Sequence, residues 1–369
     1  MPKKLSSRIL TFDLLRGYFL VAIILDHLAF YPNGLDWWTG RGILYVSAAE
    51  GFFLISGIVL GIVRGSKLVD KPFYVVAKLL LKRALQLYIT AIVLMLFFTF
   101  VGWLFLDNPG LKAGIRLPTE DFGHIIWGAL TFEYIYGWAD YLRMYALFIF
   151  ASPIAMWLLR RKLWYVVLAI SIFVWTQFHN SPLKTAELSQ VFSWQLIFFS
   201  GLIIGFHWKN ITDWWNSLRL AVRKSGIVIS VSLAAVTMVI NFALVHGEEF
   251  IGPAAHFLTD INMYFLPFFN KESLPFVRLA LFAIWFAASF WLFTRFEKPI
   301  VKYLGWLLLP FGTNSLYVYT MHAVLVFFVH LVIAQETGIW LLNLLLSASG
   351  VLLIWLAVHY KILMKIIPR

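Results

Sequence analysis

The chain contains no cysteine, which removes thiol nucleophiles, disulfides and thiolate metal sites together. Charge is also scarce. Only 13% of the 369 residues are Asp, Glu, Lys or Arg, against about 25% in soluble domains. Acid is the rarer sign, with 18 Asp and Glu against 30 Lys and Arg. There is no HExxH pair, no Walker loop and no GxSxG elbow, so zincin, P-loop and α/β-hydrolase chemistry have no footing here. No His/Asp/Glu spacing suggests a closed metal site, and neither a metal nor a bound cofactor is expected. Soluble appendages and low-complexity linkers are missing too, so residues 1–369 read as a single transmembrane domain.

What remains is apolar. Hydrophobic residues make up 61% and aromatics 18% of the chain, where soluble proteins average about 45–50% apolar. The expected class is therefore all-α, a polytopic membrane protein. Lys3, Lys4 and Arg8 ahead of the first apolar run imitate a signal peptide. That run contains Asp13, Arg16, Asp26 and His27, and no small-residue cleavage site follows it, so it reads as a retained helix.

A spanning helix needs roughly 20 mostly apolar residues. Such segments fall near 12–31, 43–63, 83–106, 141–159, 163–179, 191–208, 226–246, 277–295, 312–334 and 339–359, which makes about ten transmembrane helices. The stretch 122–138 is interrupted by Gly128, Glu133 and Gly137 and reads as an interfacial or re-entrant segment. Charge tests this layout independently. With both termini cytoplasmic, most of the basic residues fall inside, among them Arg64, Lys67, Lys71, Lys78, Arg160–Lys162, Lys209, Arg219, Arg223, Arg295, Lys298 and Lys302. Loop acids such as Glu187, Glu248, Glu249, Asp260 and Glu272 fall mainly outside. Membrane orientation thus explains the net charge of +12, and no nucleic-acid partner is needed.

Ionisable side chains at bilayer depth cost about 2.5–3.5 kcal/mol each on insertion scales, so they mark function or pair with one another. The first helix has four. Arg16 and His27 are eleven positions apart, which returns them to within about 20° of one face and separates them by roughly 16 Å along the axis. Asp13 lies one turn before Arg16. The Asp13–Arg16 pair reads either as an inner-interface ion pair or as a binding group. Asp26 adjoins His27 but points about 100° away. Glu50 in the second helix falls at a depth similar to His27, either beside it or in a helix–helix hydrogen bond. The ninth segment adds Asn314, Tyr317 and His322, as polar glue between helices or as site residues. Gly57–Gly61 and Gly201–Gly205 are spacings that let helices approach closely.

These residues carry a resemblance. Phe12-Asp13-Leu14-Leu15-Arg16-Gly17 followed by Asp26-His27 resembles the opening of the broad membrane acyltransferase-3 superfamily. More narrowly, the chain is similar to the OpgC family, the succinyltransferases of osmoregulated periplasmic glucans. The likeness continues through Ser47-Ala48-Ala49-Glu50-Gly51-Phe52-Phe53, Arg83-Ala84-Leu85-Gln86-Leu87-Tyr88, Trp194-Gln195-Leu196-Ile197-Phe198-Phe199-Ser200-Gly201, and Thr313-Asn314-Ser315-Leu316-Tyr317 with His322. Two positions depart from it: Arg143 stands where a proline is expected, and Ile89-Thr90-Ala91 where a histidine is expected.

The resemblance implies a cytoplasmic acyl-CoA co-substrate and a hydroxyl acceptor on an extracytoplasmic glycan, at the bacterial inner membrane. His27 is then the expected general base, with Asp26 or Glu50 orienting its ring; a covalent acyl-His27 intermediate is the competing route. Asn314, Tyr317 or His322 would stabilise the oxyanion. Arg16, with Asp13 beside it, and Lys82 with Arg83 would hold the CoA phosphates, and Arg41 a dicarboxylic acyl group or the acceptor. A transporter or flippase for an anionic or lipid-linked solute is the rival class, and a homo-oligomer stays open.

Overall fold

In the computed structural model, residues 9–106, 108, 115, 121–138, 140–180, 186–333, 338–365 and 367 are described. Of the charges used above, Lys3, Lys4 and Arg8 lie outside the described residues. The described chain is helical, with no strand among these residues. Its first half runs α1 (Leu10–Leu28), a short α2 (Asp36–Thr39), α3 (Ala48–Leu60), α4 (Phe73–Leu104), α5 (Phe122–Thr131), α6 (Asp140–Arg160) and α7 (Trp164–Asn180). The second half runs α8 (Ala186–Phe206), α9 (Trp208–Ser217), α10 (Leu220–Ile251), α11 (His256–Phe265), α12 (Phe276–Arg295), α13 (Glu297–Thr313), α14 (Ser315–Val332) and α15 (Trp340–His359).

Each of the ten expected segments overlaps one of these helices, with α4 and α10 running well beyond their expected bounds. Seven are long and apolar enough to cross a membrane: α3 with its continuation to Leu68, α4, α6, α10, α12, α14 and α15. The pair α8–α9, bent by 70°, makes an eighth if it is one span. Helix α1 stands apart because Asp13, Arg16 and Asp26 fall within its 19 residues. The segment 122–138 gives only the ten-residue α5, too short to span, and Phe132 closes it in a left-handed conformation (φ 61°). The Arg143 guanidinium donates to the Phe132 carbonyl at 2.9 Å.

One element was not expected. Residues 297–313, read from sequence as loop up to 312, form helix α13. Glu297, Lys298 and Lys302 depress its hydropathy, yet its far end packs on α1 backbone to backbone. A Cβ on Gly17 would lie 2.0 Å from the Leu308 carbonyl oxygen, and one on Gly312 would lie 1.8 Å from that of Asp13. The break between α13 and α14 is at Asn314, so the expected helix 312–334 starts at Ser315 instead.

Helix α1 is the most enclosed element. Every residue of it is buried except Leu10, Tyr18, Asp26 and His27, and it touches α3, α12, α13, α14 and α15. It runs in the same direction as α14, because contacts advance together along both, His27 with His322 and Leu28 with His330; where it meets the end of α13 they run in the opposite sense, Asp13 with Gly312 and Gly17 with Leu308. Beside it, α3 and α8 meet through four glycines. Cβ atoms on Gly57, Gly61, Gly201 and Gly205 would lie 2.0–2.4 Å from carbonyl oxygens of the facing helix.

Candidate active site

The C-terminal end of α1 and the N-terminal ends of α3, α6 and α12 come together at one end of the bundle. A cavity of about 110 Å3 opens there, lined by Asp26, His27, Arg41, Ser47, Ala48, Ala49, Tyr141 and Lys271 among others. On the scale of about 10–15 Å3 per water, this is room for a handful of small groups.

His27 lines this cavity, and its ring partner is neither Asp26 nor Glu50. His27 Nδ1 lies 2.9 Å from Nε2 of His322, 295 positions away, with ring centroids 4.9 Å apart. His322 is fully buried. Its other nitrogen, Nδ1, sits 3.3 Å from the Tyr319 carbonyl oxygen. A carbonyl only accepts, so His322 carries its proton on Nδ1 and presents an unprotonated Nε2. His27 Nδ1 must then donate to it, and the lone pair of His27 falls on its Nε2. No hydrogen bond to His27 Nε2 occurs among the described residues, so that nitrogen keeps its lone pair on a residue that lines the cavity.

Asp26 accepts from the Tyr31 hydroxyl at 3.0 Å. Its other oxygen packs against the loop at Gly42, where a Cβ would come within 3.0 Å of Oδ2. Gly40, Arg41 and Gly42 all have positive φ (62°, 55° and 68°), and this turn lets the loop close over Asp26.

Glu50 has other work. One of its oxygens accepts from the backbone N–H of Ser47 at 3.1 Å and from the Ser47 hydroxyl at 2.5 Å, a capping box at the start of α3. Its other oxygen takes Nε of Arg278 at 2.7 Å and also Nη2. Both side chains are buried. The sequence reading left Glu50 beside His27 or in a helix–helix bond; the structure shows the second, with Arg278 of α12 as partner.

Arg41 lines the cavity but is held by carboxylates. Its Nε donates to Asp36 at 2.7 Å, and its two terminal nitrogens grip Glu249 at 2.8 and 2.6 Å. Burial alone would raise the Asp36 carboxyl. The N–H of Asn33 and the Arg41 guanidinium hold it below the usual carboxylate value. Arg41 therefore braces the first loop against the end of α10.

Asn314 and Tyr317 lie away from the cavity. Asn314 Nδ2 donates to the Pro310 carbonyl at 2.9 Å and to Thr313 at 3.2 Å. The Tyr317 hydroxyl reaches the carbonyls of Ala357 at 3.1 Å and Ile362 at 2.5 Å. Tyr317 ties α14 to the end of α15, whereas Asn314 bonds only locally to the last turn of α13; of the three expected oxyanion groups only His322 touches the site, through its bond to His27. Toward the other end of the bundle, Arg16 Nη1 approaches the Gly312 carbonyl at 3.5 Å. Asp13, also buried, gives its backbone to the α13 contact. Lys82 is exposed on α4. Arg83 next to it is partly buried, within electrostatic range of Tyr145 and Arg64.

Two cavity residues escaped the sequence reading as site groups, Lys271 and Tyr141. Lys271 was visible only as a basic residue in an outer loop, and Tyr141 only as part of an apolar helix. Neither position carries a local pattern; a loop more than 200 residues from His27 brings the ammonium to the site.

Described residues that are helical throughout, with apolar spans and an imidazole pair beside a small cavity, make a polytopic membrane protein with an enzyme-like site. The family model described as OpgC protein matches residues 8–366, nearly the whole length. The chain belongs to the OpgC family, and that membership points to a glucan-modifying acyltransferase. No curated protein and no solved structure matches it.

Proposed function

We propose that the chain is a membrane O-acyltransferase. It takes a short acyl group, of the succinyl or acetyl class, from cytoplasmic acyl-CoA and places it on a hydroxyl of an extracytoplasmic glycan. The observation that carries this reading is the His27–His322 pair, whose hydrogen-bond order leaves His27 Nε2 basic at the cavity.

In the transfer step, His27 Nε2 removes the acceptor hydroxyl proton as the oxygen attacks the thioester carbonyl. The new C–O bond forms, the tetrahedral oxyanion collapses and the C–S bond breaks. The leaving thiolate takes the proton from the His27 imidazolium, which restores the base. His322 Nε2 accepts from His27 Nδ1 throughout and steadies the transient positive charge. Ala48 and Ala49, the first two residues of α3, line the cavity, and their amides have no helical acceptor, as at any helix N-terminus. They suit the oxyanion, and they replace Asn314 and Tyr317 in that role.

The donor enters from the opposite end. There Arg16, Arg83 and Lys82, with Arg64 near Arg83, concentrate positive charge suited to the CoA phosphates. Both termini are cytoplasmic in this scheme, and the protein lies in the bacterial inner membrane.

The test is purified protein with radiolabelled acetyl-CoA or succinyl-CoA and a glucan acceptor. His27→Ala should still bind donor while transfer falls by about 10²–10⁴-fold, the usual weight of a general base. Transfer by the variant at the unsubstituted rate removes His27 from the mechanism. A structure with CoA at the His27 end of the bundle reverses the donor route.

A further inference from the structure

The cavity wall contains two cations, Arg41 and Lys271, and they are in opposite states. Arg41 is neutralised by Asp36 and by a two-toothed grip from Glu249. Lys271 has no carboxylate within ion-pair distance and no side-chain hydrogen bond among the described residues, although it lies within electrostatic range of Asp26, His27 and Asp140.

The loop that presents Lys271 is held at four points. The Trp194 indole N–H donates to the Lys271 carbonyl at 2.9 Å, and that of Trp175 to the Leu274 carbonyl at 2.9 Å. The Asn270 side chain accepts from the N–H groups of Glu272 at 2.8 Å and Ser273 at 3.0 Å. Arg278 donates to the Phe269 carbonyl at 2.7 Å while it is paired with Glu50. Glu50 thus acts on the site at a distance, through Arg278 and the loop. This bracing fixes the backbone from which the Lys271 side chain reaches the cavity, and leaves its ammonium, on four flexible bonds, to be held by what enters there.

We propose that Lys271 binds a carboxylate at the far end of the acyl group, so that the site selects a dicarboxylic acyl donor over a neutral one. This rests on the acyltransferase reading above. An ammonium without a partner, beside the basic imidazole in a cavity of about 110 Å3, asks for a small anion rather than for a sugar ring. Lys271, not Arg41, is then the residue that recognises the acyl group.

The experiment compares succinyl-CoA with acetyl-CoA on full-length protein in detergent, reading the ratio of kcat/KM for the two donors. Lys271→Gln should lower the succinyl-to-acetyl ratio by roughly 10–100-fold, the worth of a hydrogen bond to a charged group. Lys271→Arg should restore most of the ratio. A loss that falls equally on both donors, or a ratio unchanged in Lys271→Gln, overturns the assignment; the first of these outcomes makes Lys271 a counter-charge for Asp26 and Asp140. A loss that follows a charged substituent on the acceptor overturns it as well. Unsubstituted protein that transfers neither acyl group sinks the acyltransferase reading itself, whereas activity with both and an unchanged ratio sinks only Lys271. Donor affinities measured in His27→Ala, with and without Lys271→Gln, give the same comparison without turnover.

Discussion

At the residue scale the order of protons in the histidine pair is the property on which the chemistry turns. It is set by a backbone carbonyl, that of Tyr319, which no side-chain substitution nearby removes. His322 therefore acts as a positioning residue, and its replacements should separate by whether they accept a hydrogen bond. His322→Gln, with an amide oxygen for His27 Nδ1, should keep transfer about tenfold or more above His322→Phe, which leaves that donor unsatisfied. Equal rates in the two variants, measured at saturating donor, would show that tautomer control is not at work. The buried Glu50–Arg278 pair makes a prediction about stability. Glu50→Ala strands a guanidinium in the interior and should cost about 3–5 kcal/mol, while the double variant Glu50→Gln, Arg278→Met should recover much of that. Thermal unfolding in detergent reads both. His27 was legible in the sequence because a histidine at the end of an apolar run is expensive and has to be explained. His322 also stood out as a polar residue of the ninth segment, but its pairing with His27 did not, because it spans 295 positions and depends on how α14 lies along α1. Glu50 was misleading for a related reason: Ser47-Ala48-Ala49-Glu50 is a helix-start pattern, and weighing Glu50 only as a buried acid hid it.

At the element scale the same neglected pattern explains a boundary. The apolar run from Ile43 suggested a helix beginning there, yet the chain stays irregular to Ser47 and α3 starts at Ala48, so the first residues of the helix line the cavity. Helix α13 was hidden by its charges, which a hydropathy ruler counts against it even when its far end packs closely on α1. The glycine spacings, by contrast, were read correctly as close-packing faces, although nothing local said that they face each other. Their contact predicts a graded response. Gly205→Ala places a methyl group 2.0 Å from the Ile58 carbonyl oxygen, so α3 and α8 must separate, a strain of about 1–3 kcal/mol or more. Gly226→Ala on α10 meets only the Trp215 ring at 3.7 Å and should be neutral or stabilising by roughly 0.5–1 kcal/mol, since glycine is a poor helix former. Unfolding midpoints of the two variants should therefore move in opposite directions or differ plainly in size. Similar losses in both would mean that the α3–α8 face can relax.

At the scale of the whole molecule, the lack of cysteine becomes an experimental advantage. Any single cysteine introduced into this chain is the only thiol present, so its accessibility reports orientation without a background to remove. The histidine pair, the Lys271 loop and the Glu50–Arg278 pair all lie at one end of the bundle. Arg16, Arg64 and Arg83 lie toward the other, and α8 links the two, with Trp194 held by the Lys271 loop near one end and Lys209 just past the other. From Trp194 to Phe206 the helix advances about 18 Å at 1.5 Å per residue, a large part of a hydrocarbon core about 30 Å thick. The proposed orientation, with the basic residues inside, puts the Lys209 end in the cytoplasm. Glu272→Cys, at an exposed position next to Lys271, should then react with a membrane-impermeant maleimide in intact cells, and Lys209→Cys only after permeabilisation. The reverse pattern would turn the molecule over. It would put the imidazole base on the same side as acyl-CoA and leave the glycan, not the thioester, as the substrate that must cross the bundle. Labelling of both in intact cells would mean that the α8–α9 bend keeps Lys209 on the outer side, and that the bent pair does not cross.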